Sequence, residues 1–119
     1  MSLAATDGDR RIFTLNEAQN LVPVVMKITS DTVERVSGLI EQMEEIPDDD
    51  PEFEEVRGEM ESAVQGWADQ LQRLGCEIRG LWLVDFDNGE GYYCWSYPEN
   101  ELDHFHDYNE NFAARTRIC

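Results

Sequence analysis

Two stretches of helical apolar periodicity, separated by a break that prolines bracket, restrict this chain more than any other feature. The first opens on Thr14-Leu15-Asn16-Glu17. This is a capping-box pattern: Thr14 caps, and Glu17 at the third helical position reaches back to the free N–H of the cap. Leu21, Val25, Ile28, Thr32, Val36, Leu39 and Met43 follow, at the three- and four-residue spacing that lines one helix face. The pattern predicts a helix over 14–45, roughly 45 Å long at 1.5 Å per residue. Pro23 removes one of its hydrogen bonds and should kink it. The second stretch, 51–74, carries Phe53, Val56, Met60, Ala63, Trp67 and Leu71 as a near-heptad seam. Asp50 and Pro51 suit the N-cap and first helical position, and Gly75 suits the C-terminal cap. The short link through Ile46-Pro47-Asp48-Asp49 makes the two helices an antiparallel αα-hairpin.

The periodicity changes at Cys76. Two β-rich runs, 76–86 and 92–97, flank Asp87-Asn88-Gly89-Glu90-Gly91. An Asn-Gly pair between such runs signals a hairpin. Pro98 to Glu101 reads as a second turn and Leu102 to His106 as a third strand. The expected fold class is therefore α+β: a long antiparallel two-helix hairpin packed on a three-stranded antiparallel sheet. The expectation is one domain over 1–119. It has a disordered arm at 1–11, helices at 14–45 and 51–74, the sheet at 76–107 and a tail at 108–119. A long hairpin on a small sheet leaves apolar surface that a second copy would cover, so a homo-oligomer is expected.

Charge narrows the partners. Asp and Glu number 26 against 9 Lys and Arg, for a formal net charge of −17. Phosphate binding needs clustered cations, so neither a nucleic acid nor an anionic membrane surface is expected. A basic protein, a cation or plain solubility fits better. No apolar run approaches the ~18 residues that span a bilayer, and the first residues lack the apolar core of a signal peptide. A cytoplasmic location is the resulting expectation. The run 41–61 holds eleven acids and one Arg. Its Asp48-Asp49-Asp50-Pro51 lacks the spaced oxygens and the glycine of a calcium loop. Cys76, Cys94 and Cys119 are odd in number and share no close-pair spacing, which argues against a disulfide framework and a structural zinc knuckle. Cys119 is terminal and expected to be free.

Chemistry concentrates in 81–106, which holds both histidines and two of the three tryptophans. His104 and His106 are two apart, so on a strand they point to one face and can converge on one ion. Imidazole with carboxylate suits a divalent transition metal such as Zn, Co, Ni or Fe. Two imidazoles leave the shell incomplete, and Asp85 and Glu17 are the carboxylates expected to complete it. Each candidate also has an ordinary explanation: the capping box for Glu17, turn hydrogen bonding for Asp85, the core edge for the histidines. Cys94, on a central strand, reads as a buried inert thiol, with a Cys94–His106 nucleophilic pair as the thiol-enzyme alternative. Arg115 and Arg117 are expected to pair with carboxylates.

The segments FTLNEAQNLVP (13–23), GLWLVDF (80–86), YYCW (92–95) and LDHFHDYNENFAAR (102–115), in that order, resemble a prokaryotic domain-of-unknown-function family (number 2203). The resemblance carries no activity. It implies recurrent polar positions at Glu17, Asp85, Cys94, His106 and Arg115. The chain departs from the pattern at Trp82, at Phe105 where Trp is usual, and at Asn111 where Gly is usual. His104 lies outside it. Three functional readings follow: a small metal-binding protein with His104 and His106 as central ligands, an oligomeric helical scaffold or interaction module without metal, and a metal- or thiol-dependent enzyme.

Overall fold

The computed structural model describes residues 11–118. Along the chain come helix α1 (Leu15–Glu44), helix α2 (Pro51–Arg73), and strands β1 (Glu77–Gly80), β2 (Leu83–Asp87), β3 (Gly91–Ser96) and β4 (His104–Asp107). A 3-10 turn (Phe112–Ala114) and strand β5 (Thr116–Arg117) complete it. Most of the expected arm, residues 1–10, and the terminal Cys119 lie outside the described residues. Arg11 does not belong to an arm. Its guanidinium stacks 4.3 Å above the Phe13 ring and donates to the Leu74 carbonyl at 3.0 Å.

Local chemistry sets the helix ends. Thr14 and Glu17 form the full capping box, with Glu17 N–H donating to Thr14 Oγ1 and Thr14 N–H donating to Glu17 Oε1. Asp50 caps α2 by accepting from Glu52 N–H. Gly75 ends α2 with φ +98°. The Cys76 N–H reaches the Leu71 carbonyl and the Gly75 N–H the Gln72 carbonyl, the paired bonds of a left-handed glycine cap. Helix α1 continues through Pro23, which faces solvent.

The two helices are tied by a polar bond inside the seam. Trp67 is 1% exposed and its Nε1–H donates to the buried Thr29 hydroxyl at 2.8 Å. Phe13, Val22, Val25, Trp67 and Leu71 then meet Val84, Phe86 and Trp95 of the sheet in one core.

The sheet has five antiparallel strands in chain order, not three. Two features account for the difference. The run expected as one strand over 76–86 folds back at Leu81-Trp82, where Trp82 takes φ 64°. That conformation costs an L-residue about 1–2 kcal/mol. It places the Trp82 ring edge-to-face on Trp67 at 4.9 Å, contact that offsets the strain. The expected tail also contributes. Thr116–Arg117 pairs with β4, and the Ile118 N–H donates to the Asp103 carbonyl.

The Thr29–Trp67 bond generates a direct test. Thr29→Val keeps the shape but leaves a buried indole N–H without an acceptor. It should destabilise the fold by about 1–3 kcal/mol in urea unfolding. Adding Trp67→Phe should then cost less than Trp67→Phe alone costs the parent, because the two groups are coupled.

Candidate metal centre

Strand register decides which side chains meet. Asp85 pairs with Cys94 across β2 and β3, and Cys94 with His104 and Tyr92 with His106 across β3 and β4. Side chains alternate along a strand. Asp85, Cys94, His104 and His106 therefore share the sheet face opposite Val84, Phe86 and Trp95, which pack on the helices. This second face is closed by the chain after β4. Phe112 approaches the His106 ring at 6.2 Å, and Arg115 reaches Glu99 with two nitrogens at 3.2 and 2.8 Å. Beneath this strap Asp85 and Cys94 are 0% exposed and His106 is 1% exposed.

A carboxylate oxygen of Asp85, the sulfur of Cys94 and a ring nitrogen of His106 all lie within 4.8 Å of one another. His106 Nδ1 lies 3.0 Å from the Asp107 carbonyl, which can only accept, so Nδ1 carries a hydrogen. Nε2 lies 3.0 Å from Asp85 Oδ2. With the first nitrogen fixed as a donor, this second contact needs its own proton, shared between imidazole and carboxylate. Asp85 Oδ2 also accepts from Arg79 Nε at 2.7 Å, while Oδ1 has no hydrogen-bond partner. Burial raises the Asp85 carboxyl above the usual range, and the neighbouring Arg79 and His106 only partly oppose this. Gly91 lets β3 and β4 close over this pair, since a Cβ there would stand 2.6 Å from the His106 carbonyl oxygen.

Cys94 is held neutral. Burial, helped by the charge of Asp85, pushes its thiol up to about 12, and the adjacent Arg115 does not offset that. His106 has both nitrogens engaged, with Asp85 and with the Asp107 carbonyl. The geometry does not make the Cys94–His106 nucleophile–base pair that the sequence left open, because no imidazole nitrogen is free to take the thiol proton.

The other expected ligands stand elsewhere. Glu17 is exposed at the start of α1 and spends its carboxylate on the cap. His104 faces the same side as Cys94 but lies outside the cluster. Its Nδ1 is 2.7 Å from Asp103 Oδ1, at an angle that makes no hydrogen bond. Asp87 and not Asp85 braces the hairpin turn, accepting from the Gly89 N–H at 2.9 Å and the Tyr108 hydroxyl at 2.6 Å. Arg117 lies 3.5 Å from Asp103, as an arginine near a carboxylate was expected to. Sequence reasoning missed Cys94 as a possible ligand and Arg79 as the cation on Asp85. The signal for Cys94 was the family resemblance, which implies recurrent polar positions at Asp85, Cys94 and His106 together. The register that sets Cys94 opposite Asp85 centres the turn one residue beyond a two-residue Asn88-Gly89 loop. Nothing in the pattern marked Arg79.

The raised Asp85 carboxyl has a definite sign in the stability curve. A folded-state acid that holds its proton to higher pH than the unfolded chain favours the fold at low pH. It loses that contribution as pH rises above the ordinary value near ~4. The stability of the parent minus that of Asp85→Asn should therefore fall as pH increases through this window and then level off. Parallel pH profiles in denaturant titrations would show that Asp85 carries no such shift.

No curated protein and no solved structure matches the chain. A family model described as an uncharacterized conserved protein, DUF2203, matches residues 11–118. The match runs across the helical hairpin, all five strands and the strap over the buried cluster, and on that extent the chain belongs to the DUF2203 family of uncharacterized conserved proteins.

Proposed function

We propose that the protein binds one divalent transition metal ion, of the zinc, cobalt, nickel or iron class, through Asp85, Cys94 and His106. The observation that carries this reading is the convergence of a carboxylate, a thiol and an imidazole, all buried, within 4.8 Å. Tetrahedral zinc, with bonds of ~2.0–2.3 Å, separates its donors by roughly 3.3–3.8 Å. A contraction of about one ångström would close the set. The carbonyl on Nδ1 supports the reading, since a ligating imidazole is held in this way through its other nitrogen. So does Asp85 Oδ1, a buried acceptor with nothing to accept from. A sulfur donor selects against magnesium and calcium. Three protein donors leave a fourth position for water or a small ligand, as in zinc sites that perform chemistry.

A second reading has its own observation. Arg79 sits on Asp85 and Arg115 on Glu99, so each acid at the site already faces a guanidinium. In this reading the cluster is a metal-free polar lock that fastens the strap to the sheet.

Elemental analysis of untagged protein prepared without chelator separates the two. The expected result is about one ion per chain, lost in His106→Ala and Cys94→Ser and kept in His104→Ala and Glu17→Gln. Metal-free protein after incubation with zinc, cobalt, nickel and iron would leave only the polar lock. Proton release gives a further check. The Cys94 thiol and the proton shared by His106 and Asp85 must both leave for the three donors to bind. Calorimetry in buffers of different ionisation enthalpy should then read about two protons per ion. Release of one or none would mean that the ligand set is not this one.

A further inference from the structure

The core that joins helices to sheet draws on Ala18, Val22 and Val25 of α1 and on Trp67 and Leu71 of α2. Towards the hairpin tip only Leu39 and Val56 are buried. Beside them Ile40 and Met43 of α1 and Phe53 and Met60 of α2 line a shallow groove of about 280 Å³, with Glu44 on its rim. Ile40 is 43% exposed and the other three apolar side chains are half-buried. Among the described residues, the hairpin thus leaves apolar surface open beyond the sheet. The chain around the groove, 41–61, holds eleven acidic residues and one basic residue, Arg57, which is already bonded to Glu54 and Glu61.

We infer that this groove docks a basic amphipathic helix of a partner protein. An apolar trough between two helices takes the apolar face of a third, through side chains at i, i+3 or i+4, and i+7. Two thioethers in the lining suit it to such anchors, because unbranched methionine side chains repack around varied shapes. Lysines or arginines on the flanks of the incoming helix would meet Glu44 on the rim and the acidic run 41–61 that surrounds it. A second copy of this chain is the poorer occupant, since it would bring the same acidic run against itself, and like charges across an interface oppose association. Nothing in this inference depends on the metal reading, because Asp85, Cys94 and His106 lie on the far face of the sheet.

The test uses the full chain and a labelled model peptide of about 18 residues, or five turns, with leucine at helical spacing and lysine elsewhere. Its controls are a scrambled isomer of equal charge and the Ile40→Ser variant, chosen because Ile40 is half exposed and its loss should leave the thermal melt in place. The expected result is saturable binding of one peptide per chain. The scrambled isomer should bind about tenfold more weakly, and Ile40→Ser should weaken the peptide about fivefold, the loss that truncating an anchor brings. Equal binding of the scrambled isomer, or no effect of Ile40→Ser, would reduce the groove to undirected charge attraction and overturn the inference. It would equally be overturned by a parent that sediments as a dimer and becomes a monomer with Ile40→Ser, which would assign the groove to a second copy.

Discussion

A carboxylate with no exposed surface stands in the middle of β2, and the outer face of the sheet is built to answer it. Desolvating an ionised group costs several kcal/mol unless cations and hydrogen bonds compensate. Arg79 comes from the adjacent β1, and His106 from β4 on the far side of β3. Both reach Asp85 because β1 to β4 lie side by side in chain order. The bend at Trp82 is what lets β1 fold back beside β2. The strap then closes over the result, and Arg115 with Glu99 holds it there.

The helices contribute indirectly. They pack on the opposite face and fix the strands through Phe13, Trp67 and the Trp82 ring. The N–H of Phe13, immediately before the cap of α1, donates to the carbonyl of Asp87 at 2.7 Å. Gln19 holds both the N–H and the carbonyl of Leu102, just before β4. The helix start thus grips the end of β2 and the approach to β4, the two strands that carry Asp85 and His106. Among the described residues, the distal half of the hairpin makes no such contacts with the sheet.

Much of this was legible in the sequence, for physical reasons that differ by element. The helices were readable because caps and periodicity are local: Thr14 with Glu17, Asp50 with Pro51, and Gly75 each act within four residues. The hairpin between β2 and β3 was readable because Asn88-Gly89 fixes a turn. The bend at Trp82 was not, since a tryptophan at positive φ contradicts local preference and is held by Trp67, fifteen positions away. Strand β5 was hidden because two residues carry no alternation. At the site, the spacing of His104 and His106 correctly gave a shared face. It could not say that a shared face is not a shared site, because Asp85 holds the His106 ring and makes no bond to His104. Glu17 showed the reverse: the local explanation, the cap, was the whole one.

The two readings of the buried cluster differ less than they first suggest, because charge links them. In the metal-free network two protons are held among the three donors, one on the Cys94 sulfur and one between His106 Nε2 and Asp85 Oδ2. Binding a dication requires both to leave, so two positive charges are exchanged for two. The buried face keeps its net charge, and Arg79 and Arg115 face the same electrostatic balance before and after. A thiol pushed up to about 12 by burial is a poor nucleophile, but it is not a poor ligand once a metal ion supplies the charge that burial withholds. The arginines that make a metal-free lock plausible would thus also let the same site fill without rebuilding the strap that covers it.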